Sequence, residues 1–311
     1  MNKIFFIFLF FTLLFGDAFK FIKNDSFIID PYNNNRITTE AQGYGLLFAL
    51  QRNDKRLFDS ILKWTNEHMK NSNGLFGWLY NKKLLDSNNA TDADLFIAFA
   101  LFRAYDRWGD ERYLKEAKSI LLKIKELIVP VCWDRVNFLL LPGEYGFIKN
   151  DKIEIFPSYY IHFIFRYFYK KTSNPLWKDL LDYTYSFAGD ILTDKMIFSL
   201  YKKRFFLGDK VSMDVYRVIL YAYLDNPENI GFYKKSFKEI DSFFKSNGYI
   251  PLVYILGSNY QMKKESPYCV YKWFYLLYKD KKYLNKYNKL KTLDKNNYFC
   301  TFLDEISKGG W

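Results

Sequence analysis

Residues 90–108 read ATDADLFIAFALFRAYDRW, and their spacing decides the architecture. Leu95, Ile97, Ala98, Leu101, Phe102 and Tyr105 recur at three- and four-residue steps, the period of a helix buried along its length. Asn89 is a good N-cap residue, which puts Asp92 in the first turn, where the helix dipole favours an anion. Asp94 follows two residues later and reads as a structural acid that either caps the helix or bonds a neighbouring loop. The stretch therefore predicts a core helix with a carboxylate at its mouth.

The same pattern extends outward in both directions. In residues 37–50, Thr39 and Gln42 have the three-residue spacing of a capping box, which makes Glu40 the first helical residue. Gly43 and Gly45 weaken that helix but permit close approach of another backbone or a ligand. Further helices are predicted over 57–69, 113–128, 157–169, 176–189, 212–224, 231–246, 267–278 and 296–306. Residues 71–88 read as a loop carrying Trp78, residues 131–150 as extended and turning, and residues 196–209 as an irregular hairpin. Core helices alternate with more amphipathic ones, and no linker rich in Pro, Gly or Ser divides them. Paired helices in a ring, forming one all-α domain, are the simplest account. Trp64 and Trp177 fall at apolar helical positions and read as core.

The 311-residue chain carries a formal net charge of +12. Its lysines are scattered singly and in pairs such as Lys82-Lys83, Lys202-Lys203 and Lys263-Lys264, with no stripe or nucleic-acid motif. A solvated basic surface, and no nucleic-acid partner, is the expectation. At the start, Lys3 precedes an apolar run over 4–15 that is short for a bilayer span, and Gly16 and Ala18 supply small residues. That is the layout of a cleavable secretory signal over 1–18. Residues 19–311 are then a single domain with no stable membrane insertion after cleavage.

Export permits disulfides, and Cys132, Cys269 and Cys300 allow at most one, leaving one thiol over. With two histidines, His68 and His162, both read as structural, no metal site is expected. No glycine-rich fingerprint follows a strand and there is no Gly-x-Ser-x-Gly elbow, so no cofactor is implied.

What remains is carboxylates among aromatic residues, which make up 21% of the chain. Glu40 has Tyr44 beside it, and Asp92 heads the core helix. Asp214 lies three residues before Arg217, on the same helix face, where a cation would hold it ionised. Glycoside hydrolysis needs one protonated carboxylic acid for the leaving oxygen and one carboxylate to activate water. Aromatic rings suit the faces of sugars. Composition by itself leaves this as one option among several.

Ala90, Thr91, Asp92, Ala93, Asp94, Ile97, Ala98, Ala104 and Trp108 together resemble the signature of glycoside hydrolase family 8, the cellulase-type endoglucanases. The similar subgroup is the periplasmic endoglucanase of bacterial cellulose-synthesis operons. It is echoed at Asp30, Asn53-Asp54, residues 85–88, residues 140–143 and residues 157–159. The resemblance is densest from 19 to about 225. It implies an (α/α)6 barrel and an inverting endo-β-1,4-glucanase acting on a β-glucan in the periplasm or outside the cell, with cellulose or exopolysaccharide export machinery as a partner. Chitosan, xylan, mixed-linkage glucan or an exopolysaccharide, or glycan binding without catalysis, are the alternatives. It further implies Glu40 as general acid, Asp214 as base with Arg217 as its neighbour, and Asp92 as the group that grips and distorts the sugar. Tyr159 and Trp78 are implied to line the site and stack on sugars, and Arg217 and Tyr44 are expected to bind substrate beside them. Three positions depart from the family pattern: Ala41 and Gly43 near the acid, and Met213 before the base. Glu40, on this view, is buried against aromatics so that it holds a proton.

Overall fold

The computed structural model describes residues 17–134, 136–186, 190, 192–258 and 261–311. The expected signal over 1–18 lies outside these residues except for its last two positions. Asp17–Phe21 forms a short 3-10 turn in which Ala18 and Phe21 are buried.

Twelve α-helices occur among the described residues. Six positions form an inner ring: α1 (Thr39–Gln51), α3 (Thr91–Trp108), α5 (His162–Thr172), α7–α8 (Met213–Tyr216 and Val218–Asp225, broken at Arg217), α10 (Tyr268–Tyr278) and α12 (Tyr298–Ile306). Each packs on the next, and α12 closes the ring against α1. Nearly every residue of α1 and of the first 14 of α3 is buried, so these helices are apolar on all sides. Four of the five outer helices are amphipathic, because one face meets the inner ring, while the fifth buries only Tyr283. The five are α2 (Lys55–Met69), α4 (Glu111–Glu126), α6 (Pro175–Ser186), α9 (Lys238–Asn247) and α11 (Lys281–Leu293). The arrangement is an (α/α)6 barrel.

Gly43 explains how close the two key helices come. A Cβ there would lie 2.8 Å from Phe96 Cβ on α3, so only glycine lets α1 and α3 pack at this distance. A disulfide joins Cys269 on α10 to Cys300 on α12, while Cys132 is a free, exposed thiol.

Several expectations need correction. Thr38, not Thr39, caps α1: its Oγ1 accepts from Ala41 N at 3.2 Å, so Glu40 is the second helical residue. Gln42 instead ties the preceding segment down, donating to Ile28 O and accepting from Ile28 N, both at 3.1 Å. The cap of α3 is Ala90, which offers no side chain; Asn89 turns inward and donates to Asp94 Oδ2 at 2.7 Å. The stretch read as a loop over 71–88 folds into a hairpin, Gly77–Asn81 paired with Lys83–Asn89, with Ile37–Thr38 on its other side. The predicted helix over 157–169 is a 3-10 turn, Pro157–Tyr159, then a break, then α5. Helix α11 went unpredicted because Tyr283 is its single buried residue, leaving no apolar stripe to read. Residues 196–209 do form a hairpin, Met196–Ser199 with Arg204–Leu207, extended on one side by Lys152–Ile155. No helix among the described residues is long and apolar enough to cross a membrane.

His162 is fully buried, with Nε2 at 2.7 Å from Tyr233 Oη, which itself donates to Thr184 O. Burial pushes its pKa down to about 3 from an ordinary 6.5. The folded state therefore binds fewer protons than the unfolded state between those values. Its contribution is complete above pH 6.5 and drains away as pH falls towards 3, with a slope approaching about 1.4 kcal/mol per unit. Urea titrations of wild type and His162→Gln from pH 7 to 4 check this: the wild-type curve falls more steeply, and parallel curves would refute it.

Candidate active site

The mouth of the barrel is where the first turns of α1, α3 and α7 converge. Backbone N–H groups there have no partner within their own helix, and the dipoles point their positive ends into the opening. Carboxylates at these positions are thus placed by the fold: Glu40 on α1, Asp92 on α3 and Asp214 on α7.

All three line one cleft. Its first limb, about 390 Å3, is walled by Thr39, Trp78, Asp92, Phe156, Tyr159, Asp194, Lys195 and Arg217. The second, about 680 Å3, is walled by Asp30, Tyr32, Lys264, Glu265, Tyr268, Asp294 and Phe299, among others. Arg36, Glu40, Asp214 and Tyr298 border both limbs, so the acid and base candidates sit where the two meet.

Arg217 occupies a different place from the one expected. It sits at the break between α7 and α8, and its ion pairs are to the acids of α1 and α3. Its Nη2 donates to Asp92 Oδ2 at 3.0 Å, and its Nη1 pairs with Glu40 Oε1 and reaches Tyr44 Oη at 3.3 Å. The guanidinium also lies over the Phe299 ring at 5.9 Å. It is 3% exposed, so the pair is dry and the cation is held in place. Asp214 is exposed and takes its position from the cap: Ser212 Oγ accepts from Asp214 N at 3.3 Å.

Asp92 is 2% exposed, and burial drives its pKa well above the carboxylate range, with the charge of Glu40 adding to the rise and Arg217 opposing it. One oxygen accepts from Ala93 N at 2.9 Å. The carboxyl is also hydrogen-bonded to Glu40, so the two acids form one unit. The neighbours of Glu40 are therefore a guanidinium, a phenol and a second carboxyl, in place of the apolar wall the sequence suggested.

Tyr44 stands one turn along α1 from Glu40, donates to Glu40 Oε1 at 3.0 Å and is fully buried against Phe96 and Phe299. It does not line the cleft; it orients the carboxylate from behind. Burial raises its pKa well above 10, so the phenol remains a donor. Trp78 does line the cleft, on a strand instead of a loop, with its Nε1 donating to Asp86 Oδ2 at 2.7 Å. Tyr159 lines it too, packed edge-on to Phe156. Asp94 does not: it ties the hairpin to α3 by accepting from Phe76 N and Asn89 Nδ2. Asp194, Arg36, Phe156 and Tyr298 line the cleft without having been anticipated, because each comes from a loop or a distant helix with no local pattern. No group of three or more metal-ligating side chains occurs among the described residues.

Comparison with known proteins bears on this geometry. Residues 18–199 match the model of glycosyl hydrolases family 8. The endoglucanase of Cellulomonas uda is 38% identical over 166 residues, which is 52% of this chain and 46% of that protein. The matched segment spans about half the length of such curated relatives. Among solved structures, an endo-β-1,4-glucanase from an Achatina fulica gut metagenomic library superposes with a TM-score of 0.78 at 24% identity, covering 94% of this chain and 95% of that one. Endoglucanase Cel10 of Klebsiella pneumoniae gives 0.73 at 26% identity, covering 90% and 97%. The family match takes in more than half of the sequence, including Glu40 and Asp92, and the chain belongs to glycosyl hydrolases family 8.

Proposed function

We propose that this protein hydrolyses internal β-1,4 bonds of a glucan with inversion, using Glu40 as general acid and Asp214 as base. The observation that carries the reading is that both carboxylates border the junction of the two cleft limbs, so a polysaccharide lying across the mouth presents one bond to both. Endoglucanases dominate the named relatives.

The chemistry follows from the neighbours. Burial favours the protonated form of Asp92, and Arg217 holds Asp92 beside Glu40, so the proton that Glu40 delivers is drawn from this pair. Glu40 then protonates the leaving glycosidic oxygen. Arg217 holds both acids in register and offsets the negative charge left behind. Asp214, exposed at the wall, accepts a proton from the water that attacks the opposite face of the sugar. Trp78 and Tyr159 supply ring surface for sugar units in the first limb. The single catalytic domain covers residues 19–311, and the signal over 1–18 delivers it to the periplasm or beyond, where the cell's own glucan export is a source of substrate.

Charge narrows the substrate. Although the chain is +12 overall, the cleft residues include seven acidic side chains (Asp30, Glu40, Asp92, Asp194, Asp214, Glu265, Asp294) against four cations, and with one proton held by the Asp92–Glu40 pair six negative groups still outnumber the cations. Such a site repels polyanions and accepts neutral or cationic glycans. Chitosan is accordingly the second reading. Reducing-sugar release from lichenan, carboxymethylcellulose, chitosan and xylan tests both. Release from lichenan exceeding that from heavily substituted carboxymethylcellulose is expected. Release confined to chitosan would move the assignment to the second reading, and binding without release on all four would overturn hydrolysis.

A further inference from the structure

Asp194 belongs to no element and to no motif in the sequence, yet it has a specific set of bonds. Its backbone N donates to Lys210 O at 2.8 Å. Its Oδ1 accepts from Ser212 N at 2.7 Å, and the Ser212 hydroxyl also donates to its carboxylate. Ser212 Oγ in turn accepts from Asp214 N. The loop holding Asp194 is fixed as well: Thr193 Oγ1 donates to Lys195 O at 2.7 Å and accepts from Gly208 N at 3.2 Å.

We infer that Asp194 is a positioning residue for the reaction: it grips Ser212 at both its backbone and its hydroxyl, and Ser212 caps the short helix that presents Asp214 to the cleft. The inference rests on Asp214 being the base. A four-residue helix cannot hold its own N-terminus by internal bonding, since all its amides there lack helical partners. The direction of the Asp214 side chain then depends on the cap, and the cap depends on Asp194. A carboxylate is suited to this task because its two charged oxygens accept both donors, where an apolar side chain accepts none and a hydroxyl offers a single neutral oxygen.

Asp194 also brings charge. Burial, with the charge of Asp214 adding to it, raises its pKa to about 6, while its bonds to Ser212 and the charge of Lys210 pull the other way. The other charged or titratable groups of this limb are Arg36, Glu40, Asp92, Tyr159, Lys195, Arg217 and Tyr298, and the buried Tyr216 feels the Asp194 charge from behind. Deprotonation of Asp194 therefore places a second negative charge near the base in the working pH range.

Two variants separate position from charge. Asp194→Ala removes both; Asp194→Asn keeps an acceptor for Ser212 N and removes the charge. On the glucan that wild type hydrolyses, Asp194→Ala is expected to lower kcat about 10²-fold with KM held within about twofold. Asp194→Asn is expected to recover most of that loss and to erase the ionisation near pH 6 from the kcat/KM profile. Unchanged kcat in Asp194→Ala, or no recovery in Asp194→Asn, would overturn the inference. Hydrogen exchange at the Ser212 amide reads the link without turnover. It is expected to speed up about tenfold in Asp194→Ala and to stay near wild type in Asp194→Asn. Equal exchange in all three proteins would overturn the inference. An inactive wild type would count against the assignment of Asp214, with the exchange measurement still deciding whether Asp194 holds Ser212.

Discussion

Asp214→Asn is expected to lower kcat on a β-glucan by about 10³-fold while leaving the melting temperature close to wild type. The substitution is nearly isosteric. Asp214 is exposed, and the bond that places it runs through its backbone N to Ser212, which asparagine retains. What asparagine lacks is the capacity to accept a proton from water. Glu40→Gln is expected to abolish turnover to a similar degree, but with a cost in stability, because Arg217 loses one of its two carboxylate partners. Steady-state kinetics on lichenan with parallel thermal melts separates the two outcomes. Near-normal hydrolysis by either variant would show that its carboxylate is not the group assigned.

Arg217→Met is expected to destabilise the fold by about 3–5 kcal/mol, the usual result of removing one partner from a buried ion pair. Arg217 is 3% exposed and lies against Glu40, Asp92 and Tyr44, so methionine would leave two carboxyls facing each other in a dry site. Those carboxyls can reduce the cost by taking up protons. The loss should therefore be larger at pH 8 than at pH 5. Urea unfolding at the two pH values measures it. Adding Asp92→Asn to Arg217→Met should return part of the stability, since the repulsion is removed with the charge. A loss below about 1 kcal/mol, equal at both pH values, would mean that the guanidinium is not the organising cation described here.

The barrel was legible because it is written in short-range pattern. The three- and four-residue spacing of Leu95, Ile97, Ala98, Leu101 and Phe102 marks α3 as buried on every side, and α1 shows the same density. Alternation of such helices with amphipathic ones is what a ring of pairs looks like in sequence. Helix α11 escaped because an outer helix that buries only Tyr283 has nothing periodic to display. The hairpin carrying Trp78 escaped for a related reason: the turn at Lys82, with φ of 60°, lies between polar residues that resemble a loop. In the site, Glu40, Asp92 and Asp214 were each visible as acids in a first helical turn. Their mutual arrangement was not. Arg217 sits three residues from Asp214 in sequence, but the break between α7 and α8 turns it to Glu40 and Asp92, whose positions are fixed by helices more than a hundred residues away. Tyr44 similarly reads as a cleft residue from its closeness to Glu40, whereas its own ring is buried by Phe96 and Phe299. Sequence spacing gives neighbours on one helix; contacts between helices come from the closed ring.

Glu40 and Asp214 are assigned to opposite sides of a single glycosidic bond. Proton NMR of the anomeric signals during the first minutes of hydrolysis of a short β-1,4-glucan tests this assignment most directly. Water delivered by Asp214 to the face opposite the leaving group converts a β bond into an α hemiacetal, so the α anomer should appear first and the β anomer should follow by mutarotation. Initial release of the β anomer would mean retention of configuration, and would contradict the assignment of Asp214 as the base that activates water.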